Sequence, residues 1–442
     1  MRPKRPQTPK KPIPDAPQLT SAIRGVRRAW LPAILLALWP ARSPALEPGD
    51  RVAVCGDSIT EQRVYTVFIE DYLLMCQPVR VGSVQQIGWS GEALPGLLGR
   101  IGSDVLPFHP TVVTTLYGMN DGGYKPTRPD TVAAFRKNTA SAIRAFKAAG
   151  ARLVVVGSPG AVDTDRFKTW FAAGCSPDAY NQTLYDLGQA ARAAAGQEGA
   201  EWVDVHGAMM DAMARAKAKY GPDYFIAPDG VHPAPNGQLV MAYAFLRAMG
   251  CSGRIGTITI DAASGEATAS GGHRIIASSP GRTEVESERY PFCFTDDPAY
   301  PESTRSILSC LAFNADLNRF ILVVTHAPSR MKVSWGGVSR AYSADELARG
   351  VNLAGDFLEN PFSQAFARVH VLVAAQQAYE TPAVKGLLNG MGATRRYFPE
   401  RQGAFDDMQA AVLQKDTQLF GDCRAAVLPV RHVIELAAAP AP

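Results

Sequence analysis

The chain has 442 residues, 46% of them hydrophobic and 19% charged, which describes a globular chain and excludes a disordered one. The formal charge of +4 is unevenly placed: residues 1–45 hold nine basic side chains and one acid, and the rest holds 36 basic against 40 acidic. The body of the chain therefore lacks the diffuse basic surface of a nucleic-acid binder, and no nucleic-acid partner is expected.

Residues 1–45 read as a removable leader. A basic, Pro-rich stretch precedes the apolar run Trp30–Trp39, and Ser43-Pro44-Ala45 follows with small residues where a signal peptidase reads. The expectation is export to the periplasm or the exterior. The alternative is a basic tail with one buried helix. Arg27-Arg28 keeps a twin-arginine route open beside the general secretory one. No apolar run reaches the ~18–20 residues of a membrane span.

From residue 46 to 250 strand and helix patterns alternate. Arg51–Cys55 reads as a strand, Tyr65–Met75 as a helix, Val79–Ile87 as a strand and Ala93–Leu106 as a helix. Thr111–Tyr117 is a β-rich run, and Thr131–Ala149 is an amphipathic helix with Gly150 at its end. Leu153–Val156, the helix Ala179–Ala195, Trp202–Val205 and the helix Leu239–Met249 complete the series. Five such strands between helices predict a parallel sheet covered on both faces, with its site at the carboxyl ends of the strands.

Residues 251–442 have a different texture, that of an appended α+β region. Arg254–Ile260 and Gly272–Ala277 predict one antiparallel pair, and Phe320–Val324 with Met331–Trp335 another. Helices are expected at Ala344–Leu358 and Phe366–Asn389. Seven cysteines follow the leader in no dense disulfide pattern, though Cys293 and Cys310 are a conceivable pair. Gly-rich phosphate loops, CxxC and HExxH are absent, so no metal or cofactor is expected.

Four segments carry chemistry. Gly56-Asp57-Ser58-Ile59-Thr60 follows the first strand, which exposes a Ser beside helix N-terminal N–H groups. Alone, Ser58 reads first as a helix cap. Gly88-Trp89-Ser90-Gly91 follows the second strand, where glycine lets a backbone N–H approach a ligand. Gly118-Met119-Asn120-Asp121 follows the third, and an Asn amide can donate to an oxyanion. Asp229-Gly230-Val231-His232 precedes the last helix, and the three-residue spacing lets the carboxylate hold an imidazole that serves as general base.

Together and in this order, the four segments resemble the SGNH/GDSL hydrolase superfamily of esterases and lipases. The resemblance spans about residues 50–250 and implies a flavodoxin-like, three-layer α/β/α fold. It implies Ser58 as nucleophile, His232 as general base and acid, and Asp229 as the residue orienting His232. Ser58, Gly91 and Asn120 are then the oxyanion donors, with Gly56, Asp57, Gly118 and Asp121 as motif support. The implied activity is hydrolysis of short-chain acyl esters, acetyl above all, on a small molecule or polysaccharide, with no cofactor. O-acyl transfer to a polysaccharide at the same site, and non-catalytic carbohydrate binding or scaffolding, are the alternatives. The motif GDSIT is the short form, which argues against a plant-type lipase. Trp89 either lines the cleft or packs beneath its loop. Tyr124 and Trp170, with Phe167 and Phe171, are further aromatic candidates for cleft or core.

Overall fold

Strand β1 (Arg51–Gly56) alternates Val52 and Val54 with Ala53 and Cys55, all fully buried. A strand apolar on both faces belongs inside a covered sheet. The computed structural model describes residues 46–167, 174–294, 296 and 300–439. In it β1 is flanked by β2 (Ser83–Gly88) and β3 (Val112–Leu116), followed outward by β4 (Leu153–Gly157) and β5 (Glu201–Val203). The order is β2-β1-β3-β4-β5 and every pair is parallel.

The intervening helices are α1 (Ser58–Glu61), α2 (Tyr65–Met75), α3 (Leu94–Arg100), α4 (Pro129–Ala148), α5 (Pro177–Glu198), α6 (Val205–Tyr220) and α7 (Pro235–Ala248). Val52, Val54, Val112 and Val155 share one core with residues of α2, α6 and α7. Ala53, Cys55, Val113 and Val154 share the other with α3, α4 and α5. The two-residue period of the strands thus feeds both layers, and the fold is the three-layer SGNH-type architecture.

Two local departures have sequence causes. The helix expected over Ala93–Leu106 is regular only to Arg100, then passes through a wide turn (Ile101–Val105) and a tight one (Leu106–Phe108). Gly99, Gly102 and Pro107 weaken it there. Helix α6 was not foreseen, because its buried stripe of Met209, Ala212, Met213 and Ala216 has little apolar contrast with its surroundings.

The segment after α7 departs further. Its strands are β6 (Arg254–Asp261), β7 (Ala267–Ala269), β8 (His273–Ser279), β9 (Arg282–Ser287), β10 (Arg319–Thr325), β11 (Met331–Trp335), β12 (Val338–Tyr342), β13 (Val351–Asn352) and β14 (Val430–Ala438). They form sheets ordered β13-β10-β6-β7 and β12-β11-β14-β9-β8. Neither predicted pair exists. β6 runs parallel to β10 and antiparallel to β7, β8 pairs with β9, and β11 lies between β12 and β14. Local turn signals cannot reveal a parallel pairing between distant segments.

The helix expected over Ala344–Leu358 breaks where Gly350 takes φ +97° and the chain enters β13. The helix expected at Phe366–Asn389 is α8 (Ser363–Pro382), continued by a wide turn at Ala383–Leu388. Helix α9 (Gln402–Ala425) and β14 were not anticipated. All seven cysteines are buried and free, so Cys293 and Cys310 are not paired. Among the described residues no helix is long and apolar enough to cross a membrane.

The C-terminal segment is not a detached appendage. The core that holds Val52 and Val54 continues into Phe292, Trp335 and Phe366. Helix α8 also closes the exposed edge of β2. Gln86 N–H donates to Glu380 Oε2 (2.7 Å), and Gln376 Nε2 donates to the Val84 carbonyl (3.2 Å). Side chains thus satisfy edge groups that would otherwise invite another strand.

Beneath that edge three carboxyl groups are buried together. Burial and mutual repulsion push Glu70 and Glu380 well above the usual carboxylate range, and burial pushes Asp416 to about 6. A carboxyl raised in the fold adds stability below its unfolded value and loses it as pH rises through the folded one. The melting temperature should therefore fall as pH rises from about 4 past 6. The double variant Glu70→Gln, Glu380→Gln should flatten that slope, as thermal melts across pH would show.

Candidate active site

The sheet register sets the geometry. Gly56 pairs with Gly88 and Leu116, and Leu116 with Gly157, so the loops after β1, β2 and β3 leave the same edge side by side. Their close approach needs glycine at position 88, where a Cβ would collide with the Glu61 backbone. The Trp89 N–H donates to the Gly56 carbonyl (2.9 Å) and ties the first two loops together.

Asp57 caps α1: its Oδ1 accepts from Ile59 N–H (3.0 Å). Ser58 therefore opens the helix with its own N–H without a partner among the described residues. Burial drives the Asp57 carboxyl up to about 7. Its Oδ2 accepts a long bond from Asn120 Nδ2 (3.4 Å), which also donates to the Glu92 carbonyl (3.0 Å). Asp121 staples the third loop. Its Oδ1 accepts from Leu94 N–H at the start of α3 (2.9 Å), and its Oδ2 from Gly118 N–H (3.0 Å). Burial raises it to about 6 despite these donors.

The fourth segment reaches across from before α7. Ser58 Oγ lies 2.9 Å from His232 Nε2, and His232 Nδ1 lies 2.8 Å from Asp229 Oδ2. The other carboxylate oxygen accepts from the backbone N–H groups of Val231 (2.9 Å) and His232 (2.8 Å). Burial pushes the Asp229 carboxyl up, but the His232 ring and these N–H groups outweigh it and hold it below the usual range. A carboxylate that stays ionised fixes the proton on Nδ1 and leaves Nε2 to accept from the Ser58 hydroxyl. Residues separated by 174 positions thus meet in one hydrogen-bonded line.

Gly91 sits at the exposed rim with φ +74°, and its N–H has no partner among the described residues. Trp89 is held between two cations, Arg100 at 5.1 Å and Lys385 at 4.8 Å from the ring centre. Of this loop it is Ser90 that lines the cleft. Tyr124 stacks on Tyr180 (5.0 Å), and its hydroxyl leans on Asn120 Oδ1 (3.5 Å), so it backs the Asn. Phe167 is buried against Tyr180. Trp170 and Phe171 lie outside the described residues.

Four of the remaining histidines have side-chain hydrogen-bond partners. His432 accepts from Trp335 Nε1 (3.1 Å) and meets Ser287 Oγ (2.9 Å), which in turn meets His273 (2.8 Å). His326 pairs with Asp261 and His370 with Asp71, each at 2.7 Å.

Two supports of the site were not foreseen. Arg100 makes a two-pronged pair with buried Glu92 (2.7 Å each) beside the loop that follows β2, and Tyr117 donates to the same carboxylate (2.7 Å). An Arg inside the apolar stretch Leu94–Arg100 was the available signal. Lys385 binds Glu61 (3.0 Å), whose carboxylate accepts from Ser90 N–H. Nothing local connects Lys385 to a loop so far upstream.

Residues 54–240 match the GDSL-like lipase/acylhydrolase family. This domain belongs to that family. It is accordingly a carboxylic ester hydrolase. No curated protein matches the chain in sequence. Among solved structures it resembles a gut microbial diltiazem-metabolizing enzyme, with 20% identity and a TM-score of 0.68, over 88% of this chain and 98% of that one. That likeness is one of fold, and it includes most of the C-terminal segment. Shorter matches are an α/β hydrolase from the metagenome of Lake Arreo, Spain (23% identity, TM-score 0.37, 47% of this chain and 97% of that one) and an acetylxylan esterase from Geobacillus stearothermophilus (22% identity, TM-score 0.38, 46% and 95%).

The GDSL-like domain makes a direct prediction about Asn120. On the reading proposed below, in which the Asn120 amide serves the oxyanion, replacing it by Ala should lower kcat by roughly 10²–10³. Steady-state kinetics on a short aryl ester check it, with KM expected to move little.

Proposed function

We propose that Ser58, His232 and Asp229 form the catalytic triad of a serine esterase acting on short-chain acyl esters. The observation that carries this reading is the continuous line Ser58 Oγ–His232–Asp229, ending on a carboxylate held ionised, beside the unclaimed N–H groups of Ser58 and Gly91. His232 Nε2 takes the Ser58 proton as the oxygen attacks the ester carbonyl. The oxyanion forms against the Ser58 and Gly91 N–H groups, and the Asn120 amide exchanges its long bond to Asp57 for it. Protonated His232 then gives its proton to the leaving alcohol. Water reverses the sequence and releases the acid. The Ser58 proton leaves with the alcohol, and a proton from the attacking water returns through His232 to Ser58.

The cleft at Ser58 is open, about 900 Å³, and lined by Glu61, Gln62, Arg63 and Glu302. These groups suit a hydroxyl-rich alcohol, and an acetylated carbohydrate is the proposed natural class. The basic and apolar leader supports export as the setting. Acetate release from acetylated xylan and from p-nitrophenyl acetate tests the proposal. Release from the aryl ester alone would keep the esterase and remove the carbohydrate. Release from neither would overturn both.

A further inference from the structure

Beside the cleft lies a smaller hollow of about 210 Å³. Phe68 of α2, Phe366 and Ala374 of α8, and Phe292 and Phe294 from the intervening segment wall it. Arg63, Val64 and Pro235 line both spaces, so they are the partition between them. The partition is built from both halves of the chain: Arg63, in left-handed backbone (φ +58°), donates to Thr381 Oγ1 of α8 (3.0 Å). Pro235 begins α7 three residues beyond His232.

The chemistry says which half of an ester lies on this side. His232 must protonate the departing alcohol, so the alcohol leaves along the wall that carries His232. That wall leads past Pro235 to the hollow. Its size sets the guest, since an engineered cavity of about 150 Å³ holds benzene. About 210 Å³ takes one six-membered ring with a substituent. Its walls set the polarity. Four phenyl faces offer no partner to hydroxyl groups, and the polar groups of the lining are engaged elsewhere: His370 with Asp71, Asp296 with Thr304, and Arg63 with Thr381.

Resting on the triad reading above, we propose that this hollow is the subsite for an apolar ring on the alcohol half of the ester. The polar cleft takes the hydroxyl-bearing part of the same alcohol.

The experiment compares ethyl acetate with 2-phenylethyl acetate on the full chain. The phenyl ester should have the higher kcat/KM by roughly tenfold or more. Ala374→Phe fills the hollow and should bring that ratio close to one. Phe68→Ala enlarges it and should raise the preference for a naphthylethyl ester. Binding of 2-phenylethanol, read by calorimetry, makes the same comparison without turnover and should weaken in Ala374→Phe. A wild-type ratio near one overturns the proposal, and so does an unchanged ratio in a folded Ala374→Phe. If Ala374→Phe does not fold, Phe68→Ala decides, and an unchanged naphthyl preference overturns it. Failure of the triad reading shows separately, as turnover retained by Ser58→Ala.

Discussion

Ser58→Ala should lower kcat by roughly a million-fold while leaving the melting temperature unchanged within a degree or so. The rate loss follows because, among the described residues, the Ser58 hydroxyl is the one that hydrogen-bonds His232 Nε2 and so the proposed nucleophile. The unchanged stability follows because Oγ makes that single bond in a half-exposed setting, whereas the cap that starts α1 belongs to Asp57. Residual hydrolysis should remain above the uncatalysed rate, since the proposed oxyanion donors are untouched. Kinetics with a thermal melt on the same preparation check both halves.

Asp229→Asn should lower kcat by roughly 10⁴. The reason is tautomeric. Asp229 Oδ2 accepts from His232 Nδ1–H at 2.8 Å. An Asn amide that turns its NH₂ toward that nitrogen makes Nδ1 the acceptor and places the proton on Nε2. His232 can then no longer receive the Ser58 proton. The turn itself should survive, because Asn still offers an oxygen to the N–H groups of Val231 and His232. A pH–rate profile with a crystallographic or NMR check of the ring position separates this from misfolding.

The parts of the site legible in the sequence are those whose chemistry fits inside a few residues. The Asp57 cap, the Asp121 staple and the Asp229–His232 turn are local, and strand alternation placed each loop at one edge. Strand registers then brought the loops together without further information. The supports that escaped are pairs formed only on folding: Glu92 with Arg100, eight residues apart, and the long-range pairs of Lys385 with Glu61 and Glu380 with the β2 edge. A buried ion pair reads in sequence as an ordinary charged residue, because its meaning lies in a partner that only folding supplies. The same limit hid the β6–β10 pairing and the union of the C-terminal segment with the catalytic core. For Trp89 both readings were open, and two cations on opposite elements decide its place.

The central claim is that Ser58 is the nucleophile of an acyl-enzyme cycle. A serine-directed fluorophosphonate tests it most directly, with the labelled residue located by peptide mass spectrometry. One equivalent should attach to Ser58 as esterase activity falls in step, and Ser58→Ala should take up none. Label on another residue as activity disappears, or complete labelling of Ser58 with activity retained, would contradict the account.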